Sequence, residues 1–435
     1  MKNQSMTSLK IQLSLCAIAL TTLPVIACSD AKPPIEAPAS QNGDWCSWLQ
    51  NKPATLYKNK DNPYIQEVSI GGRFQWQYGY VDGESAGRKF NYDTEEIRRF
   101  RLGAKIKFLQ FFELSSSFDL ENDLAPTGEE SDHDIEYAGI YTATLSFDAQ
   151  KAFNIKSLDS LEISIGKHKV ISTGEYAISS RHIKTVERSA ISNYTTPSSS
   201  TGLMVSIDKG RWDLDLGIFS GGVDPEFSEF DSSNDYFYTL RFGRSFENTP
   251  WFTKSRLDLR LTVNGNEADN SSSNADSPGA YDLDWVGSLA YTAEKDRFSL
   301  LADFIYGDNG EAFNKVGKAR PAREGSFWGV VIMPSYYIVD NKLEAVFRYQ
   351  YAHASEAQGI RMSSRYVRHA GNSANLPTVA EGRGDEHHSA YLGLNYYLCG
   401  DNTKVMIGVE YDELSSDGVD IYEGISAWAA FRMYF

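Results

Sequence analysis

The chain has 435 residues, a formal net charge of −16 and a mean hydropathy of −0.40, and aromatic residues make up 13% of it. This mean hydropathy excludes a protein built from membrane-spanning helices, whereas the aromatic content and 34 glycines against 14 prolines favour many strands joined by turns. Length alone would allow about two or three soluble domains. Composition and length alone leave the class of protein open, so it must be inferred from the spacing of the apolar residues.

The N-terminus begins with a short apolar run that follows Lys2 and Lys10. A charged start followed by an apolar run too short to span a bilayer predicts an export signal over residues 1–27. The end of this run also resembles a bacterial lipobox, so simple cleavage and lipidation of Cys28 both stay open. Residues 28–64 contain several prolines and lack apolar periodicity, which predicts a periplasmic N-terminal linker.

Residues 65–435 contain sixteen stretches of roughly ten residues in which apolar side chains recur at every second position. The last stretch ends on Phe435, and counting back by twos separates an apolar face from a face that carries Arg432 and Tyr434. Buried faces of a soluble sandwich would not carry so many charges, whereas a water-filled lumen would. The pattern predicts an all-β fold, a 16-stranded antiparallel transmembrane β-barrel with an apolar outside and a polar inside.

The connections between these stretches give a second signal, because bacterial barrels have tight periplasmic turns and long external loops. Short and long connections alternate along the chain. The predicted periplasmic turns are 209–210, 294–296, 340–341 and 399–402. The predicted external loops are 82–95, 121–134, 221–235, 264–280, 307–324 and 354–386.

Two of the four cysteines, Cys46 and Cys399, lie outside the predicted signal and its edge. The alternation places Cys399 in a periplasmic turn, on the same side as the N-terminal segment that holds Cys46. An oxidising periplasm would permit a bridge between them. Sequence does not give their separation, so a disulfide and two unconnected thiols both stay open.

The negative charge is concentrated in three stretches that contain no Lys or Arg. Residues 121–136, 224–235 and 412–423 hold seven, five and five acidic residues, which accounts for the whole net charge. We interpret them as a solvated outer rim that faces lipopolysaccharide, where divalent cations can bridge acids. The predicted lumen is then close to neutral overall, with basic side chains clustered locally.

Residues 169–199, between the fifth and sixth predicted strands, form a long polar insert. It carries Lys169, Arg181, Lys184 and Arg188 against Glu175 and Glu187, and it contains His182. In a sixteen-stranded barrel, a loop at this place can fold inward and narrow the channel. We therefore predict an inward-folded constriction loop, with an ordinary rim loop as the alternative.

At these residues the sequence resembles the phosphate-selective porin O and P family of Gram-negative outer membranes, over most of residues 65–435. The segments 71–76 and 97–103 resemble the family's first strand and its double-arginine second strand, and 163–169 resembles the strand that enters its constriction loop. Within that loop, Ser179-Ser180 and the later Glu187-Arg188 pair match the family's spacing. The segment around Trp45 and Trp48 is extra with respect to the family.

The resemblance implies a homotrimer of barrels, each with its own pore, in the outer membrane. Carried over by position, it implies an anion site made of Arg73, Arg98, Arg99, Ser179, Ser180 and Arg188. Guanidinium groups match phosphate oxygens bidentately, and serine hydroxyls add neutral donors. The strand alternation turns Arg99 inward and Arg98 outward, so Arg98 needs either a position above the hydrocarbon or a bulge. Further side chains predicted to line the pore are Arg101, Lys105, Lys184 and Arg348.

We predict a porin that passively admits small hydrophilic solutes, with small anions such as phosphate somewhat favoured. The expected partners are outer-membrane lipid and lipopolysaccharide, with no nucleic acid, no cofactor, no metal and no catalytic residues. A non-selective general porin is one alternative. The other is a barrel enzyme of the protease or phospholipase type, for which the candidate histidines are His133, His387 and His388, interpreted here as solvated loop residues.

Overall fold

The structure is a computed structural model that describes residues 45–50, 54–120, 135–197, 199–222, 224–230, 236–265, 283–310, 324–361 and 364–435. The predicted export signal, Cys28 and His133 lie outside these residues, and so does most of the first acidic stretch. None of the helices in the described ranges is long and apolar enough to cross a membrane.

Strands dominate the described residues, and the helices are short. The helices are α1 (Trp45–Gln50), α2 (Ala149–Ala152), α3 (Gly174–Ala177), α4 (Ala190–Tyr194), α5 (Arg365–Ser373) and α6 (Pro377–Glu381). The strands are β1 (Thr55–Lys58), β2 (Ile65–Ser85), β3 (Arg88–Phe108), β4 (Phe112–Asp119), β5 (Gly139–Asp148), β6 (Ser160–His168), β7 (Ser200–Lys209), β8 (Trp212–Ser220), β9 (Tyr236–Glu247), β10 (Lys254–Asn264), β11 (Trp285–Lys295), β12 (Phe298–Asp308), β13 (Ser326–Val339), β14 (Leu343–Ala354), β15 (Ile360–Arg361), β16 (Arg383–Gly384), β17 (Glu386–Tyr397), β18 (Thr403–Ser416) and β19 (Val419–Tyr434).

Sixteen of these strands, β2 to β14 and β17 to β19, form one closed antiparallel barrel. Each strand pairs with its neighbour in sequence, and β14 pairs with β17. The last strand returns to the first, so that Tyr434 lies opposite Arg73. Closure pairs the backbone groups that an open sheet edge would leave exposed to hydrocarbon. The predicted sixteen-stranded barrel is confirmed.

The alternation of side chains along the strands separates a lipid-facing surface from the lumen. In β19, Arg432 and Tyr434 point inward and are only 0% and 3% exposed, whereas Ile425 on the other face is 53% exposed. On β17, outward-facing Leu392 is 59% exposed. Such a band of exposed apolar side chains fits a hydrocarbon environment, as the sequence predicts.

One predicted external loop is absent, because residues 82–85 and 88–95 are strand. The two strands β2 and β3 pair up to a tight turn at Ala86 and Gly87, whose φ angles are +50° and +76°. Such positive angles at both central residues are typical of hairpin turns that match the strand twist. The prediction of a loop was wrong because this polar segment extends the strand alternation: Val81, just before it, and Phe90, within it, are both buried.

The N-terminal segment is fastened to the barrel at two places. Cys46 and Cys399 form a disulfide with a Cα–Cα distance of 5.2 Å, which resolves the alternative that the sequence left open. Strand β1 pairs with β2, with Thr55 opposite Ser69. This pairing covers the part of the β2 edge below the point where β19 ends, which the stagger of the barrel would leave unpaired. The predicted linker therefore contains ordered secondary structure.

The predicted constriction loop, residues 169–199, folds into the barrel between β6 and β7 over its described residues, 169–197 and 199. Its Val186 and Ile191 are 1% and 0% exposed and join one hydrophobic cluster with wall residues such as Ile305 and Phe327. Inside a wet lumen, this apolar contact fixes the loop against one half of the wall. The inward-folded loop is confirmed.

A second segment, residues 355–361 and 364–385, also packs inside the mouth of the barrel, although the sequence predicts it as an external loop. Helix α5 begins after Ser364, whose hydroxyl caps it. Its Tyr366 and Val367 are 2% and 0% exposed, and the Tyr366 ring packs edge-on against Trp428. The prediction missed this insertion because the contacts that draw the segment inward come from distant strands.

Candidate functional site

The constriction loop starts with a close contact to the barrel wall at α3. Thr173 caps the helix, and the backbone N–H groups of Gly174 and Glu175 donate to Oδ2 of Asp303 at 2.7 and 3.2 Å. A Cβ on Gly174 would lie 2.2 Å from Cβ of Ala290, so the approach requires glycine. A buried carboxylate on β12 thus fixes the start of the loop.

Arg348 forms the second anchor of the loop. Its guanidinium donates to Glu175 at 3.3 Å, to the carbonyl oxygen of Glu187 at 2.7 Å and to Glu410 at 2.5 Å. The side chain of Arg348 is 1% exposed, so it does not line a water-filled path. The prediction that Arg348 lines the pore is wrong, because the loop covers it and uses its charge for attachment.

Lys184 is the third anchor and also differs from its predicted role. Its ammonium group donates to Glu344 at 2.6 Å and to the hydroxyls of Ser299 and Ser335 at 2.6 and 2.8 Å. The Glu344 side chain is 0% exposed. All three protons of the ammonium group have acceptors on the wall, so Lys184 holds the loop instead of facing permeating ions.

A β-bulge turns both arginines of the Arg98-Arg99 pair toward the lumen. Gln75 lies opposite Arg99 and Trp76 opposite Ile97, so Arg98 is the extra residue. A bulge is one of the two arrangements that the alternation requires for Arg98. The Arg98 guanidinium pairs with Glu187, with Nε 2.8 Å from Oε1.

Glu187 is held charged by this pairing. Burial acts to raise its pKa, but the charge and hydrogen bond of Arg98 outweigh burial and lower the pKa to about 2. Gln77 also donates to Glu187 at 2.6 Å. Because its charge is compensated by Glu187, Arg98 positions the loop and adds little free positive charge to the site.

Five other basic side chains converge beside this pair. The Arg99 guanidinium donates to Oε1 of Gln75 at 2.8 Å, and that of Arg188 donates to the carbonyl oxygen of Ile178 at 2.6 Å. Burial, together with neighbouring positive charge, lowers the pKa of Lys169 to about 6. The charges responsible belong to Arg188, Arg73, Arg99 and Arg101. We call these five residues, Lys169, Arg73, Arg99, Arg101 and Arg188, the cation cluster.

The cation cluster is supported by aromatic rings and neutral acceptors. The ring of Tyr176 has Lys169 Nζ at 4.5 Å and Arg188 Cζ at 4.6 Å from its centre, and Arg101 lies 3.3 Å from the ring centre of Tyr141. Among the described residues, no carboxylate lies within ion-pair distance of Arg73, Arg99, Arg188 or Lys169, whereas Arg101 pairs with Asp119. Three guanidinium groups and the titratable amine of Lys169 are thus left without a direct acidic partner.

The two predicted serines differ in position. Ser180 is 5% exposed, its hydroxyl accepts from Arg73, and its carbonyl oxygen accepts from the Tyr434 hydroxyl at 2.5 Å. Ser179 is exposed, and its hydroxyl lies 3.4 Å from the backbone nitrogen of Arg181. The structure therefore brings Ser180, but not Ser179, into contact with a predicted arginine.

The predicted pore-lining lysine on β3, Lys105, lies on the wall below the cation cluster. Its ammonium group is 3.9 Å from Glu113, and its side chain is 39% exposed. Across the lumen, Arg241 and Arg256 on β9 and β10 are paired with several aspartates. The acids in contact with these two arginines are Asp213, Asp215 and Asp258. On this opposite wall, Arg241 and Arg256 are therefore charge-balanced, unlike the cation cluster.

Sequence reasoning did not assign Lys169, Tyr176, Tyr141 or the α5 contacts to the site. Lys169 offered a signal, since it directly follows a strand and begins the inserted loop. The α5 contacts offered none: the Tyr366 hydroxyl meets Gln77 at 2.6 Å and Arg365 pairs with Glu96, across 269 residues of sequence.

A comparison with known protein families identifies one that matches this chain. The family model for phosphate-selective porin O and P matches residues 68–416. The chain belongs to this family. A comparison with curated proteins finds no match. As a member of the phosphate-selective porin O and P family, the chain is an outer-membrane porin channel.

Solved structures show the same fold at low sequence identity. The outer membrane channel DcaP of Acinetobacter baumannii is 11% identical, with a TM-score of 0.50 over 87% of this chain and 100% of that one. The trimer form of OmpT of Vibrio cholerae is 11% identical, with a TM-score of 0.50 over 85% and 99%. OmpF of Salmonella typhi, in complex with daunomycin, is 14% identical, with a TM-score of 0.51 over 88% and 100%. These similarities support the porin fold of this family member.

Proposed function

We propose that this porin favours small anions, phosphate among them, at the cation cluster. The observation that carries the proposal is the convergence of Lys169, Arg73, Arg99 and Arg188 at the inserted loop without a carboxylate in ion-pair contact among the described residues. Guanidinium groups bind oxyanions through paired N–H donors, and the Ser180 hydroxyl adds a neutral group beside Arg73. A permeation site needs donors that bind weakly enough to release.

The preference is proposed to be partial, because the opposite wall offers a charge-balanced surface. Asp258 there contacts both Arg241 and Arg256 at 2.9 and 2.7 Å. Cations and neutral solutes can pass along this side, whereas anions gain at the cluster. A general, non-selective pore is the alternative, favoured by these paired charges and by the acidic outer stretches.

We further propose a homotrimer without catalytic activity, surrounded by outer-membrane lipid and lipopolysaccharide. The trimer form of the OmpT neighbour supports the assembly. His387 is not a solvated loop residue, as interpreted from the sequence, but lies on β17 and is 1% exposed. Its ring nitrogens lie 3.3 Å from Asp412 and 2.6 Å from Gln350, and its burial argues against access by a substrate. His388 lies near Glu386 and the ring of Tyr351 on the outward face of β17.

The reversal potential across a planar bilayer with a potassium chloride gradient tests the proposal. The expected sign is that of chloride permeating faster than potassium, and added phosphate at about millimolar concentration should reduce the chloride current. A potential of the opposite sign would contradict anion preference. Equal permeabilities with no effect of phosphate would favour the general pore.

The lowered pKa of Lys169 predicts that anion preference rises as the pH falls. With a pKa of about 6, this lysine is mostly neutral at about pH 7.5 and mostly protonated at about pH 5. Acidification therefore adds a positive charge beside four arginines, and the anion-to-cation permeability ratio should increase about threefold between these values.

Two variants separate this effect from titration of the outer acids. Lys169→Arg keeps the charge throughout the range and should give a high ratio that changes little with pH. Lys169→Met removes the titrating group and should give a low ratio at both values. A wild-type response that persists unchanged in Lys169→Met would assign the pH dependence to other groups.

A further inference from the structure

The periplasmic turn between β17 and β18 contacts the tip of the constriction loop directly. Nδ1 of His182 donates to Oδ2 of Asp401 at 2.8 Å, and the Arg181 guanidinium donates to Oδ1 of Asn402 at 2.7 Å. Just after the turn, Lys404 is 0% exposed and donates to the carbonyl oxygen of Ile183 at 2.8 Å. Three consecutive loop residues are therefore held by one short stretch of the barrel floor.

The same turn is joined to the N-terminal segment by the disulfide. Cys399, the first residue of the turn, is 2% exposed and bridged to Cys46 of α1, and Leu49 of that helix is 3% exposed. Asn402 also exchanges two hydrogen bonds with Tyr434, accepting from its N–H at 2.7 Å and donating to its carbonyl oxygen at 3.2 Å. The turn thus links the N-terminal segment, the last strand and the constriction loop.

Arg181 is the residue through which this turn can act on permeating ions. Its guanidinium lies 6.0 Å from the ring centre of Tyr434, and that of Arg73 lies 5.3 Å from the same ring. Both arginines line a cavity of about 290 Å³ together with Arg101 and Lys105. The hydrogen-bond acceptor of Arg181 is the neutral amide oxygen of Asn402, and the neighbouring Asp401 carboxylate offsets only part of its charge, so the remaining positive charge adds to the cation cluster.

We propose that Asp401 and Asn402 are positioning residues for anion preference, and that the Cys46–Cys399 disulfide keeps them in place. On reduction, a small dithiol attacks the bridge, the S–S bond breaks and two cysteine thiols form, while the dithiol gives up two electrons and two protons and becomes a cyclic disulfide. The turn then loses its covalent link to α1, and Arg181 is no longer held beside Arg73. This inference rests on the proposed anion preference.

The test is the reversal potential of the full-length channel in a planar bilayer before and after a dithiol is added on the periplasmic side. Reduction should lower the anion-to-cation permeability ratio about threefold, while the single-channel conductance stays within about a factor of two. Asn402→Ala should produce the same lowering without reductant. Arg181→Ala should also produce it and should abolish the response to dithiol, because both changes remove one interaction.

Control variants distinguish positioning from general damage to the barrel. The double variant Cys46→Ser with Cys399→Ser should have the low ratio from the outset and ignore dithiol. Asp340→Asn breaks an ion pair at another periplasmic turn, in which Nε of Arg297 lies 2.5 Å from Oδ1 of Asp340. This variant should keep both the permeability ratio and the dithiol response. Circular dichroism of each variant checks that the strand content is retained.

The outcomes separate this inference from the function on which it rests. An untreated channel without anion preference would overturn both. An anion-preferring channel whose ratio is unchanged after thiol labelling confirms an open bridge would overturn the role of the disulfide alone. Retention of the ratio in Asn402→Ala would overturn the positioning role of the turn.

Discussion

Replacing Arg99 or Arg188 with alanine is expected to lower the anion-to-cation permeability ratio about tenfold in each variant. Neither side chain has an acidic partner within ion-pair distance among the described residues, so each removal takes a full positive charge from the constriction. At an effective dielectric constant of about 20, a charge about 7 Å from an ion changes its energy by roughly 2 kcal/mol. Salt screening reduces this value only partly inside the barrel.

Reversal potentials at low and high salt measure the change in the permeability ratio, and two variants serve as controls. Arg297→Ala removes an arginine that is paired with Asp340 at a periplasmic turn, and this variant should keep the wild-type ratio. Arg99→Lys retains the charge and should keep most of the preference. If Arg99→Ala and Arg188→Ala both had the wild-type ratio, the anion site would have to lie elsewhere in the lumen.

The barrel could be predicted from the sequence because its signal has a period of two and is repeated sixteen times. A one-residue slip would turn every apolar side chain of a strand into the lumen, so pattern and register constrain each other. The terminal strand shows this, since Arg432 and Ile425 lie on the predicted sides. The inward loop was also accessible, because residues 169–199 are long, polar and placed after the fifth barrel strand.

The wrong predictions share one physical cause. The alternation of side chains along a strand shows which face of the barrel wall a residue is on, but it does not show whether another segment covers that residue. Arg348 and Lys184 point inward as predicted, yet the inserted loop buries or saturates them. The second insertion depends on Tyr366 meeting Gln77, a contact between residues far apart in sequence. The bulge at Arg98 had a local signal, since two adjacent arginines cannot both face a lumen without an extra residue.

The candidate site was partly predictable for the same reason. All of its predicted residues except Ser179 meet at the loop, namely Arg73, Arg98, Arg99, Ser180 and Arg188. Only contacts across the barrel reveal that Glu187 compensates Arg98. Lys169 escaped assignment because its environment is created by arginines from two strands and the loop. Whether a charged side chain is compensated depends on residues that are distant in sequence, whereas the direction of a side chain on a strand follows from the local alternation.

Arg348→Ala is expected to lower the free energy of unfolding by about 3–5 kcal/mol and to widen the channel. The substitution leaves the buried carboxylates of Glu175 and Glu410 without their shared cation, and the hydrogen bond from Arg348 to the carbonyl oxygen of Glu187 is lost as well. Such uncompensated buried charge costs more than the pair contributes when intact. The lost contacts weaken the attachment of the constriction loop to the wall. Release of the loop from the wall should widen the channel and raise the single-channel conductance.

Denaturant unfolding in detergent and conductance in planar bilayers measure the two effects separately. Arg256→Ala is the matched control, because Arg256 is also ion-paired on the inner wall, with Asp213 at 2.6 Å and Asp258 at 2.7 Å. That variant should lose stability without the rise in conductance, since its partners belong to the wall and not to the loop.

Adding Glu175→Gln and Glu410→Gln to Arg348→Met should restore part of the stability, because no unpaired charge then stays buried. Wild-type conductance in a destabilised Arg348→Ala channel would mean that apolar contacts of Val186 and Ile191 hold the loop without this ion pair.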